Sequence, residues 1–212
     1  MKQNVKLYKS LCFIIKPFLK IFYPYEVRGK ENIENLSGGY ILCSNHLSNI
    51  DAVFLALEHK KPICFMAKAE LFKNKILGGI LNAIGAFPVD RGKGDKEAII
   101  TAKEVINEGK VLGIFLEGKR SKTGELLRPR SGVSVLAHDT GADILPVNIV
   151  GENGGRVRMF RRTVVTFGSI MSEKDLGIEK NEIRQYRIAS NKIMDKIREM
   201  REEYLKGRKI TI

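Results

Sequence analysis

The sequence lacks several features that would assign a function at once. No uninterrupted apolar run reaches the roughly 18 residues of a transmembrane helix. The short apolar stretch 11–15 is followed by Lys16 and Pro17 rather than by a small-residue cleavage site. No Gly-x-Gly-x-x-Gly or Walker pattern follows a predicted strand, which excludes a Rossmann or P-loop enzyme. Without repeats or low-complexity tracts, the 212 residues fit one domain with a sizeable core.

Cysteine and histidine are also scarce, with three residues of each type. Cys12, Cys43 and Cys64 are isolated and lack metal-ligand spacing. This pattern disfavours a disulfide framework or a zinc site and favours a reducing, cytosolic setting. We therefore expect no bound metal.

Acidic residues are in deficit, because 24 Asp and Glu face 37 Lys and Arg, for a formal net charge of +13. This balance favours anionic partners such as anionic lipid, phosphorylated substrates, an acidic carrier protein or nucleic acid. No zinc-finger, RRM or basic-zipper pattern is present, so nucleic acid is not an expected partner. A non-enzymatic basic module that binds a membrane or nucleic acid remains a distant alternative.

The N-terminal segment 1–24 has an amphipathic pattern. On a helix, its lysines fall within an arc of roughly 80° and apolar side chains fill most of the remainder. Pro17 is predicted to kink the segment or divide it into two short helices. A wide apolar face beside a lysine stripe is typical of a helix in the bilayer interface, so we predict a membrane anchor that contacts anionic lipid. The alternative is a terminal helix packed on its own domain. The lysines of the arc are Lys2, Lys6, Lys9, Lys16 and Lys20.

From about residue 25 the predicted strands alternate with helices. The pattern indicates a single α/β domain over 25–212, with a largely mixed central sheet flanked by helices. Residues 157–160 and 164–167 are predicted to form a hairpin, and Pro146 indicates a sheet edge or a bulge. The predicted strands are 40–43, 62–66, 86–89, 111–116 and 144–150, and the predicted helices are 51–58, 71–83, 96–107, 133–139 and 181–206.

A histidine and an aspartate follow the first of these predicted strands. Ser48 and Asp51 resemble a capping box, which predicts a helix from about Asn49 and leaves His46 in the preceding loop. Residues five apart on one helix diverge by ~140°, so the loop position allows Asp51 to reach the imidazole. Such a carboxylate would orient His46 as a base and stabilise its charged form. The alternative is a polar loop whose aspartate only caps a helix.

Two further predicted strands end in charged residues. Arg91 follows the strand 86–89 and is suited to bidentate phosphate binding, although this segment by itself favours a plain surface arginine. After the strand 111–116, Gly118 permits a tight turn and Arg120 suits an anion. Glu117, beside two cations, is expected to be ionised and to position Arg120 or a substrate hydroxyl.

Taken in order, these segments resemble the 1-acylglycerol-3-phosphate acyltransferases of phospholipid synthesis. The resemblance is carried by His-x4-Asp at His46 and Asp51, Val-Asp-Arg ending at Arg91, Glu-Gly-x-Arg-Ser at 117–121 and Pro146. The third block departs from the family, which usually has proline at the position of Leu116 and threonine at that of Lys119. The first change alters loop rigidity more than chemistry, and the added lysine is compatible with a phosphate head group.

The resemblance implies acyl transfer to the free sn-2 hydroxyl of 1-acyl-glycerol 3-phosphate, giving phosphatidic acid. The donor would be a thioester of acyl-carrier protein or coenzyme A, with no cofactor beyond it. A monotopic or peripheral protein at the cytoplasmic face of the cell membrane is expected. Another lysophospholipid, glycerol 3-phosphate or an amino-acid lipid remains open as the acceptor. The implied catalytic residues are His46 as general base and Asp51, and the implied substrate-binding residues are Lys68, Arg91, Glu117, Gly118 and Arg120.

Overall fold

The computed structural model of the chain describes residues 4–89 and 96–209. Short 3-10 helices occupy Lys30–Ile33, Ala69–Lys73, Glu152–Gly154 and Glu173–Leu176. The α-helices are α1 (Val5–Phe22), α2 (Asp51–Glu58), α3 (Lys75–Ala83), α4 (Lys96–Asn107), α5 (Gly132–Thr140) and α6 (Ile183–Lys209). The strands are β1 (Tyr25–Arg28), β2 (Tyr40–Ser44), β3 (Ile63–Lys68), β4 (Phe87–Val89), β5 (Val111–Phe115), β6 (Ile144–Gly151) and β7 (Thr163–Phe167).

Within the described residues the strands form one seven-stranded sheet in the order β1-β7-β6-β2-β5-β3-β4. Neighbouring strands are parallel except β6 and β7, which are antiparallel. The central strands β2 and β6 are buried along their whole length, as their continuous apolar runs require in a sheet covered on both faces. The predicted α/β class with a mixed sheet flanked by helices is therefore confirmed.

The helices form two layers, one on each face of this sheet. The connections from β2 through α2 to β3 and through α3 to β4 run toward the β4 edge of the sheet. Those from β4 through α4 to β5 and through α5 to β6 run back in the opposite direction. With right-handed crossovers, a reversal of direction places the helices on opposite faces. Helices α2 and α3 therefore share a face, which also carries α1, and α4, α5 and α6 cover the other. Among the described helices, none combines the length and apolar character that crossing a bilayer requires.

The prediction that Pro17 divides the N-terminal segment is wrong, because α1 runs unbroken through it. Because Pro17 has no N–H, the carbonyl of Phe13, four residues earlier, lacks its helical hydrogen bond. The Phe13 side chain is 83% exposed, so water can reach this part of the helix. Tyr8 and Leu19, on either side of the proline, are buried and hold both halves of the helix in place.

The predicted hairpin is also wrong, because β7 pairs with β6 and with β1, and residues 157–160 form no strand. Phe160 has a φ of 57°, a left-handed conformation that a strand cannot contain. Strand β1 was not predicted from the sequence.

Pro146 does not mark an edge strand, because β6 lies between β7 and β2. The other predicted possibility, a bulge, fits the register. Ile144 bridges Met171 and Val147 pairs with Phe167, so β6 has one residue fewer than the opposite chain between these pairs. The irregular pairing accommodates the missing N–H of Pro146.

Candidate active site

The loop between β2 and α2 carries the predicted histidine and is fixed by the side chain of Asn45. The Asn45 amide donates to the carbonyl of Ile149 at 2.8 Å and accepts from the N–H of the same residue at 2.7 Å. Asn45 is fully buried. This pair of bonds ties the loop to β6 and holds the backbone of His46 at the carboxyl end of the parallel strands.

His46 and Asp51 form a buried pair. The Nδ1–H of His46 donates to Oδ2 of Asp51 at 2.8 Å, and the same oxygen accepts the N–H groups of Leu47 at 2.6 Å and Ser48 at 2.8 Å. A carboxylate only accepts, so the imidazole proton is assigned to Nδ1. The lone pair of Nε2 is therefore the one that can take a proton from a substrate.

The start of α2 differs from the prediction in detail. The helix begins at Asp51 with Ile50 as its N-cap, rather than near Asn49, and the Ile50 side chain makes no capping hydrogen bond. Of the predicted capping box, only the aspartate half forms, through the N–H of Ser48. Because His46 lies outside the helix, as predicted, Asp51 can turn back toward the imidazole.

An aromatic wall covers one side of the imidazole. The rings of His46 and Phe115 are nearly parallel, with centroids 3.8 Å apart and an angle of 10° between the planes. Phe65 stacks behind Phe115 at 6.0 Å. This stack restricts rotation of the imidazole and shields one of its faces from water.

The segment 117–121 packs against the histidine loop through backbone hydrogen bonds. The N–H of Leu116 donates to the carbonyl of Ser44 at 2.9 Å, and that of Ser121 donates to the carbonyl of His46 at 2.8 Å. Two blocks that are about 70 residues apart in the sequence thus meet beside the imidazole, because β5 is the neighbour of β2.

Gly118 forms the turn at the start of this segment. Its φ of 68° lies in the left-handed region that favours glycine, and its N–H donates to the carbonyl of Phe115 at 3.0 Å. The turn places Lys119 and Arg120 at the surface. Within residues 4–89 and 96–209, Arg120 has no ion-pair partner.

Glu117 points into the protein and is only 1% exposed. Burial raises its pKa to about 7 and the charge of Asp51 adds to the rise, while the N–H groups of Leu127 and His46 and the charge of Arg201 oppose it. Neither carboxyl oxygen has a hydrogen-bond partner in regular geometry among the described residues. The predicted placement of Glu117 beside two cations is wrong, because the turn directs Lys119 and Arg120 outward and the nearby cation is the buried Arg201 of α6.

Of the two remaining predicted residues, Lys68 and Arg91, only Lys68 is among the described residues. Lys68 ends β3 at the same edge of the sheet, but its side chain is exposed and ion-paired with Glu70 at 2.8 Å. Arg91 lies outside the described residues. Their roles stay predictions, as do the roles of the other site residues.

Sequence reasoning missed three residues of this site, Asn45, Phe115 and Arg201. Asn45 lies inside the predicted motif, but its partner Ile149 is 104 positions away. Phe115 is one of several apolar residues of a core strand, and Arg201 is one of many cations in a charged helix. The sequence offers no local signal that distinguishes them.

Comparisons with known proteins identify the family of the chain. A family model described as Acyltransferase matches residues 24–150. The 1-acyl-sn-glycerol-3-phosphate acyltransferase of Bacillus subtilis is 33% identical over 151 residues, which cover 71% of this chain and 74% of that protein. The enzyme of the same name from Helicobacter pylori is 31% identical over 119 residues. The chain spans only about half of that protein, 49%, and 40% of a chloroplast relative from Arabidopsis thaliana.

A solved structure has the same fold. The crystal structure of the 1-acyl-sn-glycerophosphate (LPA) acyltransferase of Thermotoga maritima superposes with a TM-score of 0.74 over 96% of this chain and 83% of that one, at 22% identity. The family match covers more than half of the chain and includes His46, Asp51 and Glu117. The chain therefore belongs to the acyltransferase family.

Proposed function

We propose that the protein transfers a fatty acyl group from a thioester to the sn-2 hydroxyl of 1-acyl-glycerol 3-phosphate, forming phosphatidic acid. The observation that carries the proposal is the buried His46–Asp51 pair, whose Nε2 is left to accept a proton. The names of the Bacillus subtilis and Helicobacter pylori relatives support lysophosphatidate as the acceptor.

In the proposed reaction, Nε2 of His46 removes the proton of the acceptor hydroxyl while the hydroxyl oxygen attacks the thioester carbonyl. A carbon–oxygen bond forms, the carbon–sulfur bond breaks, and the proton passes from the imidazolium to the departing thiolate. Asp51 stabilises the imidazolium and holds its tautomer. The acceptor is itself the nucleophile, so no side chain needs to become acylated.

The acceptor would be held at the edge of the sheet beside His46. We assign its phosphate to Arg120, exposed after the turn at Gly118, and to Arg91, with Lys68 nearby at the end of β3. Glu117 would position the acceptor from beneath the turn, since its carboxyl is buried between the histidine loop and α6.

The proposed donors are acyl-carrier protein and coenzyme A thioesters, and no further cofactor is needed. Both are anionic, as a chain of net charge +13 favours. Residues 1–24 would anchor the protein as a monotopic or peripheral protein at the cytoplasmic face of the membrane, where a lysolipid acceptor resides, while residues 25–212 carry the reaction.

A thiol-release assay of the purified protein tests the proposal. Both donors are crossed with lysophosphatidate, other lysophospholipids, glycerol 3-phosphate and an amino-acid lipid. We expect lysophosphatidate to give the highest kcat/KM with one donor or both. Faster turnover of another acceptor would reject this acceptor while keeping acyl transfer, and absence of thiol release with every pair would reject the proposal.

A further inference from the structure

The face of the sheet that carries α1, α2 and α3 has a broad exposed apolar surface. Nineteen large hydrophobic side chains are exposed among the described residues; eight lie in α1, four in the segment 69–83 and two at the turn 159–160. Soluble proteins rarely expose contiguous apolar patches of this extent without a partner. The fourteen are Val5, Leu7, Phe13, Ile14, Ile15, Phe18, Ile21, Phe22, Leu71, Ile76, Leu77, Ile80, Met159 and Phe160.

Helix α1 is fixed to the domain by one stripe and exposes another. The Tyr8 hydroxyl donates to the carbonyl of Ala56 in α2 at 3.3 Å, and Lys16 pairs with the buried Glu58 at 2.9 Å. Lys16 is thus bound to the domain rather than directed outward with the other lysines. The opposite side of the helix, including Ile14 and Phe18, is exposed. Packing on the domain therefore leaves a second apolar stripe open to a partner.

The other two segments are joined to the two ends of α1. At its start, the N–H of Asn4 donates to the carbonyl of Ala83, the last residue of α3, at 2.8 Å. At its end, the N–H of Phe160 donates to the carbonyl of Phe22 at 2.7 Å, and the two rings lie 5.8 Å apart. An 18-residue helix is roughly 27 Å long. The three segments therefore form one continuous surface.

Phe160 is held in an unusual way. Its φ of 57° is in the left-handed region, which is sterically unfavourable for a bulky residue, and its side chain is 65% exposed. Strained backbone positions of this kind concentrate at functional sites. The fold thus maintains a strained backbone at a position that presents an aromatic ring and the neighbouring Met159 to the outside.

The charges around this surface favour an anionic partner. Helices α1 and α3 contain no aspartate or glutamate, and the carboxylate of Glu70, in the segment 69–83, is ion-paired with Lys68. A second copy of the chain would bring two basic surfaces together and would be repelled. An anionic bilayer instead accepts the apolar side chains and attracts the surrounding cations. The exposed cations of these segments include Lys6, Lys9, Lys20, Lys73 and Lys75, and Arg158 precedes the turn.

We infer that α1, the segment 69–83 and the Met159–Phe160 turn together dock on an anionic bilayer, so that the membrane contact extends well beyond residues 1–24. The inference deepens the proposed membrane-surface function. Binding is measured without an acyl donor, which keeps its failure separate from failure of the proposed reaction.

The test is sedimentation of the full chain with vesicles that contain phosphatidylglycerol. We expect Phe160→Asn, and separately Ile76→Ser with Ile80→Ser, each to weaken vesicle partitioning by about tenfold, the effect of withdrawing large apolar side chains from the interface. Ile183→Ser with Ile188→Ser is the matched control, because these exposed isoleucines lie on α6 across the sheet. Wild-type partitioning of the first two variants, or an equal loss in the control, would overturn the inference.

Three measurements distinguish a lost membrane contact from misfolding and from a lost dimer. Asparagine tolerates the left-handed conformation, so Phe160→Asn should keep the thermal midpoint of the wild type. It should also turn over a short-chain, water-soluble acceptor at the normal rate. In sedimentation equilibrium without vesicles we expect a monomer. A dimer that Phe160→Asn dissociates would overturn the inference in favour of a contact between copies.

Discussion

Helix α2 has a buried histidine at each end, and the two have different hydrogen-bond partners. His46 precedes the helix and lies at the carboxyl end of β2. His59 follows the helix and precedes the amino end of β3. Both side chains are 7% exposed. In His59, Nδ1 bonds to the carbonyl of Lys61 at 2.7 Å and Nε2 bonds to the hydroxyl of Tyr40 at 2.7 Å. In His46, Asp51 occupies only Nδ1.

The proposed base role of His46 therefore rests on its hydrogen-bond partners and not on burial, which His59 shares. His59 has both nitrogens bound to uncharged groups, and burial lowers its pKa, so the fold keeps it neutral. His46 has a carboxylate on one nitrogen, which favours the charged imidazolium once Nε2 takes a proton. The two histidines therefore differ in the partner of Nδ1 and in whether Nε2 is free to bind a substrate.

The largest effect is expected at the carboxyl end of β2. His46→Ala should lower kcat/KM for acyl transfer roughly a thousandfold, because it removes the proposed general base. Thiol-release kinetics give the ratio, and circular dichroism checks that the fold is retained. A folded His46→Ala protein with undiminished turnover would eliminate the mechanism.

Asp51→Asn should have the next largest effect. An amide cannot stabilise the imidazolium and can favour the wrong imidazole tautomer, so we expect kcat to fall roughly a hundredfold. The loss should be far smaller when combined with His46→Ala, since the two residues act as a unit. Independent, multiplicative losses in the double variant would mean that Asp51 acts on something other than His46.

A smaller effect is expected for the phosphate contact. Arg120→Ala should raise the acceptor KM about tenfold and leave kcat within about twofold, because it removes a charged contact far from the reacting atoms. Lys122→Ala is the matched control, an exposed cation two positions further along. An increase confined to the donor KM would show that the phosphate was assigned to the wrong residue.

Glu117→Gln should change the pH dependence of stability. Burial raises the folded-state pKa of Glu117 to about 7 from an ordinary value of 4.5. The protonated form is thus favoured by folding, and this stability is present below pH 4.5 and lost as the pH rises through about 7. Relative to Glu117→Gln, the wild type should lose free energy of unfolding between pH 5 and pH 8, as urea titrations can measure. Parallel curves would show that Glu117 does not titrate there.

The smallest effect on turnover is expected for His59, at the other end of α2. His59→Ala should leave kcat within about twofold, yet lower the free energy of unfolding by about 2 kcal/mol, because the buried Tyr40 hydroxyl and Lys61 carbonyl lose their partners. Denaturant unfolding and steady-state kinetics measure the two quantities. A catalytic loss comparable to that of His46→Ala would remove the distinction between the two histidines.

Local patterns were sufficient to predict much of the fold. Apolar periodicity predicted the helices 51–58 and 96–107, and Gly109 marked the end of the second; only the capping pattern, which placed the start of the first near Asn49, was wrong. Strand β1 was missed because it has only four residues, two of them charged, and its partner strand is distant in the sequence. Tyr25 of β1 pairs with Thr163 of β7, which lies 138 positions later. A short strand defined by distant pairing leaves little trace in its own sequence.

The candidate site shows the same limit. The neighbourhood of His46 and Asp51 was predictable because five residues and one helix start decide it. The surroundings of Glu117 were not, because neighbouring cations in the sequence are directed to solvent by the left-handed turn at Gly118. A cation from α6, Arg201, approaches instead. Direction of a side chain depends on backbone conformation, which charge patterns do not report.

Helix α2 has one more consequence, because it also connects α1 to the histidine. Its first residue, Asp51, holds His46, and its last turn, through Ala56 and Glu58, holds α1. Eight residues span about 12 Å in a single rigid element. A membrane surface bound by α1 would therefore lie at a fixed distance from Nε2 of His46. For the proposed reaction we therefore expect slow turnover of an acceptor whose hydroxyl lies deeper in the membrane, or further out of it, than Nε2 of His46, however tightly its head group is bound.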